Sequence, residues 1–354
     1  MQITEKKPGI EIGIYTLGDL GPDPQTGKTI SIQQRLQEVL AAGKLADEAG
    51  LDIFGVGEHH RLDYAVSSPA VTLAAVAQHT KQIKLTSATT VLSTIDPVRL
   101  FEDFATLDLL SNGRAEIIAG RGAFVESFPL FGYDLNDYNE LFEENMQLLQ
   151  QLNASEIVNW QGTFRSSLQN AMIAPRPAQE KLPLWIGVGG TPESAARAGR
   201  LGTGMALAIL GGDPKRFKPL VDLYRQAGLE AGHANDALKV AVTGHTFIAK
   251  TSQQAKDEFY PYYAGYWEYV NKQRGMGTKI SVSDFERMAS PETGLFVGSP
   301  QQIIEKILQQ HELFGHQRFM AQMDIGGLPF SKVAEGIEML ATEVAPVVRR
   351  ETAK

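Results

Sequence analysis

Apolar runs of strand length alternate along this chain with longer stretches of helical period. Runs at residues 10–17, 51–57, 83–92, 114–119, 184–188, 205–210, 238–249 and 318–323 are mostly continuously apolar, as parallel strands covered on both faces should be. Between the first two, residues 32–49 carry helical spacing and stop at Gly50, placed to serve as the glycine beyond a helix end. Ser68-Pro69, Asp96-Pro97, Thr191-Pro192, Asp213-Pro214 and Ser299-Pro300 each set a capping side chain before a proline. The side-chain oxygen accepts from an orphan amide, and proline at the first helical position has no amide to leave unsatisfied. Eight strands in this rhythm predict an α/β fold of the (β/α)8 TIM-barrel type. A doubly wound open sheet shares the same local grammar and is the structural alternative.

Two stretches break the rhythm and read as insertions after strands 4 and 7 of a single barrel domain spanning residues 1–354. The first, about 153–183, holds Trp160-Gln-Gly-Thr163, which resembles a hairpin turn. The second, about 251–298, holds Tyr260, Tyr262, Tyr263, Tyr266, Trp267 and Tyr269 ahead of Arg274-Gly-Met-Gly277. The rings fit a substrate lid and equally an amphipathic helix packed on the barrel wall.

With 354 residues and 43% hydrophobic content the chain can bury a large core. The net charge of −8 is spread over mixed acids and bases. That argues against nucleic acid and anionic membrane as partners. There is no cysteine, so disulfides and thiolate metal sites are excluded. The N-terminus lacks the apolar core of a signal peptide and no apolar run is long enough to span a bilayer. A cytoplasmic protein is the expectation.

In a barrel the chemistry sits where strands end. Strand 2 ends in Glu58-His59-His60. A neutral imidazole is suited to moving a proton near pH 7, although paired loop histidines without chemistry fit as well. Strand 4 ends in Gly120-Arg121-Gly122, where glycines admit a ligand to the backbone and the guanidinium supplies charge. Strand 5 ends in Gly189-Gly190-Thr191 and leads into a helix whose first amides suit an anion. Glu193 would repel that anion, and the segment also reads as an ordinary helix start. No P-loop, dinucleotide fingerprint, nucleophile elbow or His-Glu-x-x-His metal motif is present, so no metal is expected.

Together these blocks resemble the bacterial luciferase-like, flavin-dependent monooxygenases over nearly the whole sequence. The resemblance is carried by Glu58-His59-His60, Ala88-Thr-Thr-Val-Leu-Ser-Thr-Ile-Asp-Pro-Val-Arg99, Leu107-Asp-Leu-Leu-Ser-Asn-Gly-Arg114 and Gly120-Arg-Gly122. Phe131-Gly-Tyr-Asp134, Gly298-Ser-Pro300 and Glu343-Val-Ala-Pro346 add to it. It implies FMN at the C-terminal mouth of the barrel, with His59 catalytic and Arg121, Gly189, Gly190, Thr191 and Ser194 at the phosphate. It also implies a non-proline cis peptide near Ala88-Thr89 beneath the flavin ring. Two departures stand out. Luciferase has a reactive cysteine where this chain has Gly120, and a second phosphate arginine falls near Asn139, with Tyr138 a neighbouring cofactor contact. The resemblance therefore implies a relative that does not emit light. It would use reduced FMN and O2 to oxidise a small, apolar, carbonyl-type substrate. NAD(P)H or a separate NAD(P)H–flavin reductase would supply the reduced flavin. Glu58 or a backbone carbonyl would fix the His59 tautomer. A homodimer is implied, with Phe101, Phe104 and Leu107 as its seam, unless those residues simply pack inside. A deazaflavin-dependent hydride transferase and a non-catalytic flavin-binding barrel are the alternatives.

Overall fold

The computed structural model describes residues 9–122, 124–273 and 279–353. The chain runs through β1 (Glu11–Thr16), α1 (Ile32–Glu48), β2 (Ile53–Val56), α2 (Pro69–Ala77), β3 (Lys84–Ser87), β4 (Thr90–Val91), α3 (Pro97–Ser111) and β5 (Ala115–Gly120). Then come α4 (Ser127–Phe131), α5 (Tyr138–Ala154), β6 (Ile157–Trp160), β7 (Leu168–Met172), β8 (Leu184–Val188), α6 (Pro192–Arg200) and β9 (Gly204–Ala208). The chain continues with α7 (Lys218–Glu230), β10 (Val240–Ile248), α8 (Ser252–Gln273), α9 (Val282–Met288) and β11 (Phe296–Gly298). It ends with α10 (Pro300–Phe314), β12 (Arg318–Gln322), α11 (Phe330–Met339) and α12 (Ala345–Thr352).

Eight strands pair in parallel in the order β1, β2, β3, β5, β8, β9, β10, β12, and β12 pairs back onto β1. The sheet is closed, so the fold is the expected (β/α)8 barrel and not an open doubly wound sheet. Closure puts all eight C-terminal strand ends on one rim. Each predicted strand has its counterpart, with one change. Residues 83–92 form two strands, because β3 pairs with β5 at Leu85 and Thr86 and β4 rejoins β5 at Thr90 and Val91. The chain between them leaves the ladder at Ala88 and Thr89.

Barrel-strand residues are mostly buried on both faces, as the continuous apolar runs require. One large apolar cluster joins strands to surrounding helices, and a smaller one, including Tyr15, Ile53, Ile118, Trp185 and Met320, fills the barrel axis. At the N-terminal end of that axis Arg318, 1% exposed, donates to Glu11 and Glu116 and lies over Trp185. Asp96 caps α3 by accepting from the Val98 and Arg99 amides, as its Asp-Pro start predicts. Between α5 and β8 the chain forms an antiparallel β6–β7 hairpin, and between β10 and β12 it forms α8, α9 and β11. Phe101, Phe104 and Leu107 are 0–1% exposed and belong to the core. They pack inside and are not a dimer seam. Among the described residues no helix is long and apolar enough to cross a membrane.

Candidate active site

The C-terminal rim surrounds a cleft of about 390 Å³. It gathers His59, Ala88, Thr89, Gly120, Arg121, Tyr138, Gly189 and Thr191 from separate strand ends. Gly190 does not line it. That residue has φ +123° and serves the turn between β8 and α6.

The loop after β2 delivers His59 to the near wall. Its ring lies against Tyr64 with centroids 4.0 Å apart and meets the edge of Phe124 at 5.4 Å. Its backbone amide donates to Val66 at 3.0 Å. The carboxylate beside it is Glu126, with Oε1 3.6 Å from Nδ1. That separation allows electrostatic attraction but is too long for a direct hydrogen bond. Burial works to raise the Glu126 carboxyl, but contact with the His59 ring and with the amides of Glu126 and His60 outweighs it, so the group lies below its ordinary value. Glu58 has a different task from the one expected. It accepts from His60 Nε2 at 2.8 Å, from the Thr90 hydroxyl at 2.6 Å and from the Val91 amide at 3.0 Å. It ties the β2 loop to β4 and does not set the His59 tautomer. Sequence reasoning missed Glu126 because nothing in its spacing marks it; the short α4 that follows it carries no clear helical period.

The Ala88–Thr89 peptide bond is cis, where the resemblance places it. Thr89 sits in a notch made by two glycines. A Cβ on Gly120 would lie 2.5 Å from the Thr89 hydroxyl, and one on Gly187 would lie 2.9 Å from its methyl. Glycine at position 120 is therefore a packing requirement of Thr89. That gives a local reason for the departure from cysteine.

Arg121 forms the opposite pole of this wall. Its guanidinium donates to Asn139 Oδ1, to Ser194 Oγ at 2.8 Å and to Thr191 Oγ1 at 3.4 Å. It lies over the Tyr138 ring at 4.9 Å, and the Tyr138 hydroxyl donates to the Gly122 carbonyl at 3.1 Å. No carboxylate among the described residues pairs with Arg121. Thr191 starts α6 without capping it; its hydroxyl instead donates to Ser194 at 2.7 Å. A guanidinium without a counter-ion, two hydroxyls and an uncapped helix start form an anion cradle.

The far wall comes from β10, β12 and α8. Tyr266 and Trp267 line the cleft while Phe259 and Tyr263 on the same helix are buried in the core. Thus α8 packs on the barrel with one face and roofs the cleft with another, which joins the two readings of the tyrosine cluster. Arg274-Gly-Met-Gly277 lies outside the described residues. His245 and Gln322 also face the cleft; Gln322 closes β12, one of the strand ends where barrel chemistry is expected, whereas His245 was not foreseen as a site residue. The available signal was a histidine inside an otherwise apolar strand. Deeper, Asp19 and Asp324 are 3% and 7% exposed, and Thr16 donates to Asp324. Burial, and then the neighbouring Asp324, push the Asp19 carboxyl well above its usual value against the pull of Arg35.

The closed parallel barrel thus gathers an anion cradle and an imidazole on its C-terminal rim, where barrel enzymes carry their sites. Residues 10–317 match the luciferase-like monooxygenase family, and the chain belongs to it. It is 23% identical over 346 residues to the oxygenase component of a flavin-dependent trigonelline monooxygenase from Acinetobacter baylyi, covering 92% of this chain and 91% of that protein. Among solved structures it resembles the monooxygenase RslO1 from Streptomyces bottropensis, with TM-score 0.81, 25% identity and coverage of 96% and 99%. It also resembles the oxygenating constituent of 3,6-diketocamphane monooxygenase from Pseudomonas putida in complex with FMN, with TM-score 0.75, 20% identity and coverage of 96% and 98%. F420-dependent dehydrogenases are among the further matches.

Proposed function

We propose that this protein is an FMN-dependent monooxygenase that uses reduced flavin and O2 to oxidise a small, largely apolar carbonyl compound. The carrying observation is that His59 and Arg121 line one cleft, with an anion cradle at one end and a proton-transfer group at the other. The residues fit the cofactor. Arg121, Thr191 and Ser194 would hold its phosphate, with Gly189 admitting it to the backbone, Asn139 and Tyr138 beside it, and Ala88–Thr89 beneath its ring. Bound reduced FMN would supply two electrons and activate dioxygen.

The protein's own contribution is positional and electrostatic. Leu17, Val91, Ile118 and Val188 give the cleft apolar walls that keep water away from the reaction. Tyr64 and Phe124 hold the His59 ring from two sides, and the Glu126 carboxylate lies 3.6 Å from its Nδ1. No hydrogen bond among the described residues claims His59 Nε2, which leaves that nitrogen to give or take a proton at the substrate. The oxygenase-component relative favours a separate flavin reductase as electron supplier. The luciferase-like family favours a homodimer, and a cytoplasmic setting belongs to the same reading.

The test combines FMN titration by absorbance with turnover of photoreduced FMN under 18O2 in the presence of bicyclic ketones and aldehydes. One labelled oxygen atom in the product is expected. Anaerobic hydride transfer from reduced F420, with no labelled product from FMN, would replace this reading with the deazaflavin one. Tight FMN binding without turnover under either reductant would favour a non-catalytic flavin-binding barrel.

A further inference from the structure

The far wall carries polar groups that the proton chemistry above does not use. His245 on β10 and Gln322 on β12 are direct register partners, and Tyr15 on β1 continues the same row. Residues in register on neighbouring strands point to one side of a sheet, and here that side is the barrel mouth. The two side chains are 2% and 1% exposed, and both line the cleft. His245 Nδ1 and Gln322 Nε2 are buried without a hydrogen-bond partner. Folded proteins keep few such groups, because each sacrifices its bonds to water and receives nothing in return. Two of them side by side in one cavity call for a ligand that satisfies both.

The surroundings narrow the choice. The rings of Tyr263, Tyr266 and Trp267 lie 5.8, 6.0 and 6.2 Å from the His245 ring, forming an aromatic sleeve. Burial pushes the His245 imidazolium down to about 3, so the ring is neutral under ordinary conditions. The carboxylate, guanidinium and other imidazole of the lining, Glu58, Arg121 and His59, come from the β2 and β5 ends across the mouth.

We propose that His245 and Gln322 anchor the substrate and that the group they take is an uncharged oxygen function, a carbonyl or amide, on a planar ring lying against Tyr266 and Trp267. The glutamine amide donates to that oxygen, and the neutral imidazole donates or accepts according to the tautomer the ligand selects. A carboxylate would enter this wall without a counter-ion. An unbranched alkane would leave both groups unpaired, which a site built for hydrogen bonding resists strongly. This deepens the monooxygenase reading by naming its substrate class and rests on that reading for the reaction, though not for the binding.

The test titrates the protein without flavin against 1-indanone and 4-quinolone, with N-methylnicotinate and decane as charged and apolar comparators. Calorimetry and tryptophan emission, to which Trp267 contributes, report binding. Saturable binding of the ring carbonyls is expected. It should weaken about tenfold in Gln322→Leu and in His245→Phe, the loss of one hydrogen bond in a dry cleft, and His245→Asn should recover part of it. FMN affinity should be unchanged in all three, and thermal melts identify any variant that fails to fold. The proposal is overturned if neither ring carbonyl binds, if the comparators bind as well, if both variants bind like the native protein, or if they weaken FMN instead. Failure of FMN to bind the native protein, with ring-carbonyl binding still sensitive to Gln322→Leu, would remove the monooxygenase reading and leave the anchor standing.

Discussion

The two walls of the cleft are prepared in opposite ways. On the β2–β8 side the principal polar groups are held in place by the protein itself. His59 is held by Tyr64, Phe124 and Glu126, Glu58 by His60 and β4, and Arg121 by Asn139, Thr191 and Ser194. On the β10–β12 side, nitrogens of His245 and Gln322 have no hydrogen-bond partner. Satisfied groups are rigid before any ligand arrives, which suits a cofactor site and a proton-transfer group. Unsatisfied groups discriminate, because only a ligand with the matching polar atoms repairs them. The contrast suggests a division between a wall for chemistry and a wall for choice of substrate.

The largest expected effect tests the near wall as a seat of chemistry. His59→Ala should lower kcat by about 10²–10⁴, the usual contribution of a positioned acid or base, while the FMN dissociation constant read from flavin quenching stays within about twofold. Loss of FMN binding instead would make His59 a structural group and blur the two walls. Next, Arg121→Met should weaken FMN by about 10–100-fold through lost charge-assisted hydrogen bonds. Ring-carbonyl binding on the far wall should not move in the same variant. A parallel loss of both would show that the walls act as one unit.

The smallest effect concerns the buried acids beneath the far wall. Because the Asp19 carboxyl is raised in the folded chain, the folded state keeps a proton that the unfolded state gives up. That site therefore costs no stability below the ordinary carboxylate range, and stability falls as pH rises toward the folded-state value. Asp19→Asn removes the titration. Relative to the native chain, its melting temperature should be about 2 °C higher at pH 8 and unchanged at pH 4. An equal shift at both values would show that Asp19 does not carry the extra proton.

The barrel was legible in the sequence for a physical reason. Strands covered on both faces must be continuously apolar, and Asp96-Pro97 or Ser299-Pro300 writes a helix start into two adjacent residues. His59 and Arg121 were legible because titratable groups stand directly at the ends of such runs. Glu126 was not, since its relation to His59 depends on how a short helix folds across the rim. His245 was hidden differently. It lies within a strand, and an inward-facing polar residue in a barrel strand looks like an interruption until the register shows what it faces, whereas Gln322 closes β12 at a strand end. The seam assigned to Phe101, Phe104 and Leu107 went wrong because helical spacing identifies an apolar stripe without saying whether the barrel or a second chain covers it.

Thr191 carries a last consequence. In α3 the corresponding Asp96 winds the helix start tight, whereas Thr191 spends its hydroxyl on Ser194 and receives a bond from Arg121. The opening amides of α6 thus lack the side-chain lock that α3 has. A bound phosphate would supply that lock from outside, so occupancy of the cradle and fraying of this turn are coupled as one equilibrium. Slowed deuterium uptake at residues 193–195 would then report cofactor loading even in the dark, before any turnover.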